Sequence, residues 1–372
     1  MGPAIIFDKS ALQSLGRPAL LVANSLFYTV LPDVLLHEIL ADLSLERRDI
    51  EPQERVAMLA KKISFHHACG SMHFRKLCIQ DLLGNVIPMG RRPIVDAATA
   101  QQITTPDGRL GYVRDVQPEN EAILRWSGSI FSEEDLEFAA KWRGALPDLR
   151  SDASAELKNM NLGVKSMEDA ARLVDAMLSN PEDHLTLLTH YMGFLGYGEE
   201  AQNRVKARWR FELPNKQRLP DFAPYTSYCH RVYQLYYIAA AHGLLPTKSN
   251  SLIDLEYFYH TPFAEIFCSS DRLHVQMAPF ILGQDQSFVE GSDLKAELDQ
   301  LAKCRKADPT AMPQEDSLIN GLWMKHWRRP PASHVSLSDE ERERISIEMK
   351  PILEALRQQA QPISQGRFPR SP

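Results

Sequence analysis

Four acidic residues in this 372-residue chain stand where carboxylates do metal chemistry. Asp8 closes the apolar run AIIF, and Asp271 follows EIFCSS. Glu38 and Asp254 fall on stretches with helical spacing that begin near the same kind of edge. In an open α/β sheet, ligands collect in the crevice outside the carboxyl ends of the strands. Acids gathered there repel one another unless a cation sits between them. Hard divalent ions such as Mg²⁺ or Mn²⁺ prefer such oxygen donors, keep several waters and accept phosphate as a further ligand. A centre of that kind activates water and polarises a phosphoryl oxygen.

The elements that must position these acids are legible at both ends of the chain. AIIF, residues 4–7, is wholly apolar, as a strand buried on both faces is. A short helix from Lys9 to Leu15 follows, with Gly16-Arg17-Pro18 read as its stop. FYTVLP, 27–32, is a second strand; DVLLHEILADLSLE then has apolar residues at helical spacing, with Asp33 placed as its cap. Alternation of strand and helix over so short a stretch predicts α/β architecture. From about 50 to 220 the pattern turns helical, over roughly 53–82, 119–127, 132–143 and 166–197. After 222 a long aromatic-rich helix (225–245), a helix from 251 that meets Pro262, and a short strand before Ser269-Ser270-Asp271 restore the α/β character. A charged helix is expected over 338–360, and disorder in the tail QGRFPRSP.

IIFDKSAL resembles the opening strand and first acidic motif of the PIN-domain ribonucleases. TVLPDVLLHEILADL resembles their second motif, and DLEYFYHTPFAEIFCSSDRLH their third and fourth. The resemblance implies a three-layer α/β/α parallel-sheet PIN-like domain built from residues 1–48 and 222–285. A mostly helical insertion (49–221), which has no counterpart in a minimal PIN domain, separates the parts; a helical extension with a disordered tail (286–372) follows. It implies that Asp8, Glu38, Asp254 and Asp271 bind Mg²⁺ or Mn²⁺, with Ser10 and Ser269 or Ser270 supporting them or contacting phosphate. The activity implied is metal-dependent endonucleolytic hydrolysis, most naturally of RNA, in a toxin, defence or RNA-processing role. A protein inhibitor or a second copy of the chain would be further partners.

Each residue has a plainer use. Asp before a helix is ordinarily its N-cap, and Glu on a helix is ordinarily solvated. Asp33 and Asp42 compete with Glu38, and Glu256 competes with Asp254. Only the order and context of the four raise them above such uses. His66, Cys69 and His73 would share a face if HHACGSMHFRKLC were helical, but Gly70 interrupts it and no fourth zinc ligand has fixed spacing. RVKARWRFELPNKQR interleaves Arg204, Lys206, Arg208 and Arg210 with aromatic residues, as a single-stranded RNA contact does. A solvated amphipathic helix has the same pattern. Arg91 and Arg92 lie in a loop, and the glycines of GFLGYGEE do not follow a strand, which argues against a dinucleotide fingerprint.

Composition narrows the classes further. Net charge is −6, which argues against a general polyanion-coating protein. No stretch approaches the roughly 20 apolar residues of a membrane span. The odd set Cys69, Cys78, Cys229, Cys268 and Cys304 lacks CxxC spacing and, with no secretory apolar run at the start, reads as reduced and cytoplasmic. A haloacid-dehalogenase-type phosphatase also starts with Asp after a strand, but needs a second Asp where this chain has Ser10. The competing reading of the PIN resemblance is an inactive binding or scaffold protein that keeps its acids for structure.

Overall fold

The computed structural model of the chain describes residues 2–45, 50–63, 68–95, 100–104, 110–114, 118–145, 163–179, 184–211, 218–246, 251–307 and 312–328. Five strands form one parallel sheet: β1 (Ala4–Phe7), β2 (Tyr28–Leu31), β3 (Ala68–Gly70), β6 (Ile266–Ser269) and β7 (Ser287–Glu290). The strands β4 (Ala100–Thr104) and β5 (Leu110–Arg114) form a separate antiparallel hairpin.

The sheet order is β3-β2-β1-β6-β7, every neighbour parallel. β1 is central, which explains AIIF: its four residues are 0–2% exposed. Burying Ile5, Ile6 and Phe7 contributes about 1.5–3 kcal/mol each. The chain winds outward from β1 through β2 to β3, then returns to the other side of β1 for β6 and β7. The winding therefore reverses between β1 and β6. Such a switch point opens a crevice at the strands' carboxyl ends, and here Ile6 pairs with Phe267 and Phe7 with Cys268 to hold it closed below.

Sixteen α-helices lie among the described residues, numbered in chain order. The first are α1 (Lys9–Ser14), α2 (Arg17–Leu26), α3 (Asp33–Leu40), α4 (Pro52–Ile63) and α5 (Phe74–Leu82). Next come α6 (Pro118–Ser127), α7 (Glu133–Ala145), α8 (Met167–Ser179), α9 (His184–Phe194), α10 (Glu199–Phe211), α11 (Leu219–Phe222) and α12 (Pro224–Ala241). The last are α13 (Ser251–His260), α14 (Arg272–Ile281), α15 (Gly291–Ala307) and α16 (Met312–His326).

Three sequence expectations change. Gly16-Arg17-Pro18 does not only stop α1; Pro18 also opens α2, since proline's fixed φ and missing N–H suit a first helical turn. The helix expected over 53–82 is two helices with β3 between them, so Cys69, on β3, and His73, which caps α5, share no helical face, and His66 lies outside the described residues. β3 was hidden because three residues carry too little periodicity to be read. β7 likewise lies inside the stretch expected to be a helical extension. The sheet thus draws strands from both sides of the expected boundaries at 48 and 285. The expected helix over 338–360 and the tail lie outside the described residues.

Candidate metal centre at the sheet switch point

Asp8 is the first residue beyond β1, and its N–H still donates to Cys268 O at 3.0 Å, extending the pairing with β6. Its carboxylate does two jobs. Oδ1 accepts the Ala11 N–H at 2.7 Å, capping α1. Oδ2 accepts Ser269 Oγ across the switch point at 2.6 Å, and Ser10 Oγ reaches both oxygens at 2.9 and 2.8 Å. The plain cap reading of Asp8 therefore holds, and it places the carboxylate in the crevice. Asp271 repeats the arrangement on β6: Oδ1 accepts the Leu273 N–H at 2.7 Å and caps α14, while its own N–H donates to Ser269 Oγ at 2.9 Å.

Beneath them lies a residue that the sequence did not single out. His274 is 1% exposed, one helical turn after Asp271. Its Nε2 lies 2.8 Å from the Asp254 backbone carbonyl, which only accepts, so that nitrogen carries a proton. Its Nδ1 lies 2.7 Å from Ser269 Oγ and 3.6 Å from Asp8 Oδ2. Ser269 has one proton, and Asp8 takes it at the shorter distance. Nδ1 must then be protonated too, making His274 an imidazolium. Burial opposes that charge, but the nearby carboxylate of Asp8 and the negative charge of Asp254 raise its pKa above the ordinary histidine value. Burial likewise works to raise Asp8, yet His274, Ser269 and the Ala11 N–H hold it below the usual carboxylate range.

Two acids reach the crevice from helices. Glu38, on α3, accepts the Tyr257 hydroxyl at 2.5 Å, and burial raises its pKa. Asp254, on α13, is 7% exposed. Burial, with the charges of Asp271, Glu38 and Asp8, pushes it up to about 8 against the attraction of His274. The metal-free crevice thus keeps a proton on Asp254 at neutral pH. Lys9 braces α3 by donating to Glu38 O at 2.9 Å and pairing with buried Asp42 at 2.8 Å.

All four expected acids thus meet at one edge, close enough to perturb one another. Ser10 and Ser269 bond Asp8. Ser270 is exposed, donates its N–H to Ser10 Oγ at 3.3 Å, and abuts Gly291. A Cβ on Gly291 would lie 2.4 Å from Ser270 Oγ and 3.3 Å from the Ala11 Cβ, so this turn needs a glycine where α15 begins. Among the described residues no group of three or more His, Cys, Asp or Glu is arranged as a finished metal-ligand set. The carboxylates of Asp8, Asp271 and Glu38 point instead at Ser10, Ser269, Tyr257 and backbone N–H groups. The donor chemistry fits a hard divalent cation, since every acid is a carboxylate and the cluster holds a proton and an imidazolium against its own repulsion.

Other expectations are redrawn. Asp33 does not cap α3; Pro32 occupies that position, and Asp33 faces His260 Nε2 at 3.0 Å and His73 Nε2 at 3.2 Å. Asp42 does not take the place of Glu38, because α3 ends at Leu40 and a 3-10 turn (Ala41–Ser44) carries it to Lys9. Arg208 is structural: its Nη1 donates to Asp81 O and Leu82 O at 3.0 and 2.8 Å, and its guanidinium lies 4.1 Å over the Phe222 ring. Arg204 and Arg210 are exposed and Lys206 is half-buried on α10. Arg91 pins its loop by pairing with Asp285 at 2.8 Å. Helix periodicity contains the signal for Tyr257 and His274, each three residues beyond an acid, but only if the acid is already taken as a site residue.

No helix among the described residues is long and apolar enough to cross a membrane. No family model matches the chain, and no curated protein or solved structure matches it.

Proposed function

We propose that the chain is a PIN-like, Mg²⁺- or Mn²⁺-dependent endonuclease acting on RNA, with Asp8, Glu38, Asp254 and Asp271 as its metal ligands. One observation carries this reading: four carboxylates from four separate elements converge at the switch point of a parallel sheet. RNA as the substrate follows from the motif resemblance. A bound divalent ion would supply Lewis acidity and a water of lowered pKa. The chain's own part is to hold the oxygens in place. Ser10 and Ser269 orient Asp8, the Asp271 cap fixes the start of α14, and Tyr257 aims Glu38. Asp254 must give up its proton to become a ligand, so metal uptake is expected to strengthen with pH up to about 8.

The test is cleavage of single-stranded and structured RNA by the purified protein with Mg²⁺ or Mn²⁺. Asn keeps an Asp cap, so Asp8→Asn and Asp271→Asn remove charge while retaining α1 and α14. The reading expects cleavage that stops with EDTA and in both variants; unchanged cleavage in both variants overturns it. The caps made by Asp8 and Asp271 also favour a second reading, a binding protein whose acids are structural. That reading expects no metal-dependent cleavage by the wild type.

A further inference from the structure

A second concave site lies beside the carboxylates, at the carboxyl ends of β2 and β3, with a volume of about 450 Å³. It shares the α3 wall with the acid crevice, and α13 stands behind it. On α3, Glu38 serves the crevice, while Asp33 and His37, one turn apart, serve the cavity. On α13, Asp254 and Tyr257 serve the crevice, while His260 braces Asp33 from behind. The floor is apolar: Leu31, Leu36 and Met72. Two imidazoles stand on it, each fixed on one side. His37 packs against Phe138 and Trp142 at centroid distances of 4.9 and 5.1 Å, and His73 stacks on Phe74 at 5.0 Å. Burial lowers the pKa of His73 below the ordinary histidine value. Exposed Arg75 and Lys76 add two cations to the lining, which also includes Glu119.

Among the described residues no group of three or more His, Cys, Asp or Glu here is arranged to hold a metal, and the features select an organic ligand. His73 Nδ1 accepts the Arg75 N–H at 3.0 Å, so its proton is on Nε2, facing Asp33, and no lone pair points into the cavity. The Asp33 oxygens are themselves sealed from solvent. What remains is an apolar floor, flat aromatic rings and a cationic edge, in a space within the range of small-molecule pockets. Histidine rings are stacking platforms for bases, and paired cations suit a phosphate.

We propose that this cavity takes one nucleotide unit, its base against the apolar floor and the His37 and His73 rings and its phosphate at Arg75 and Lys76. Its role in cleavage, selecting the base beside the bond to be cut, rests on the nuclease reading; its binding does not. The ligand is either a free nucleotide or one unit of a strand.

Isothermal titration calorimetry on the full-length protein in EDTA tests this, since no metal is bound and nothing is cleaved. Probes are the four nucleoside monophosphates and a pentamer of the best-bound base. At least one monophosphate should bind saturably, and Leu36→Trp, which fills the floor, should weaken it about tenfold or more, the scale of one lost stacking contact. Arg75→Glu, at an exposed position, should weaken it and reduce its salt dependence. A pentamer that binds more tightly than the monomer identifies a strand as the source, and the reverse identifies a free nucleotide. Binding retained in Asp8→Asn separates this site from the carboxylates. No saturable binding, or equal affinity in a folded Leu36→Trp, overturns the proposal. If Leu36→Trp does not fold, unchanged affinity in Arg75→Glu overturns it.

Discussion

Replacing Asp8 separates three contributions that its carboxylate makes. Asp8→Ala removes the α1 cap, the bond from Ser269, and the negative charge beside buried His274. The cap is worth about 1 kcal/mol. At 3.6 Å and an effective dielectric near 20, the charge pair attracts by about 5 kcal/mol before desolvation. Breaking one side of a buried pair costs about 3–5 kcal/mol. His274 limits that loss by shedding its proton, so we expect about 3–4 kcal/mol for Ala near pH 6 and about 1 kcal/mol less for Asn, which keeps the cap. The pH dependence follows from the two shifts. His274 has a raised folded pKa, so its contribution is complete below the unfolded value near 6.5 and is lost as pH rises through the folded value. Asp8 has a depressed folded pKa, so its contribution is complete above the unfolded value near 3.8 and is lost as pH falls through the folded value. The pair is therefore worth most between about pH 4 and 6.5, and the Ala penalty should shrink in alkali. Urea unfolding in EDTA from pH 5 to 9 measures this. A penalty below about 1 kcal/mol at pH 6, or one that grows toward pH 9, refutes an imidazolium paired with Asp8.

Asp254→Asn should flatten the pH dependence of stability in EDTA. With a folded pKa of about 8, Asp254 favours the native state below its unfolded pKa, and that contribution fades as pH rises toward 8; Asn cannot titrate. An unchanged slope between pH 5 and 8 contradicts this. Arg208→Ala should cost about 2–3 kcal/mol in urea unfolding, since it leaves three carbonyls short of a donor and bares the Phe222 face. Arg204→Ala and Arg210→Ala should stay within about 0.5 kcal/mol and weaken RNA binding in a salt-dependent way. Equal stability of all three would remove the structural assignment of Arg208.

The sequence was most legible where a pattern has one physical cause. A buried central strand must be apolar on both faces, so AIIF and its terminal Asp8 could be placed without a structure. Asp271 followed from element order, because parallel strands present the residues after them to one edge, whereas Glu38 and Asp254 stood out from helices near that edge only through the motif resemblance. Two edge strands of the sheet were illegible for opposite reasons. β3 has only three residues and lies in a His- and Cys-rich stretch that suggests other chemistry. β7 alternates buried and less buried positions like any short polar segment. Losing β3 hid the cavity, since its lining draws on residues just beyond that strand. His274 was illegible because its importance depends on Ser269 and Asp254, which only the folded sheet brings to it. Arg208 shows the converse: a charge pattern suited to RNA turned out to hold carbonyls of neighbouring helices.

The metal centre is tested most directly by anomalous diffraction from crystals of the protein soaked in Mn²⁺. The account predicts an anomalous peak among Asp8, Glu38, Asp254 and Asp271, about 2.0–2.3 Å from at least two of their oxygens. The side chains should have turned from their present partners toward it. No peak at saturating Mn²⁺, with Asp8 still bonded to Ser10 and Ser269 and Glu38 still bonded to Tyr257, would contradict it.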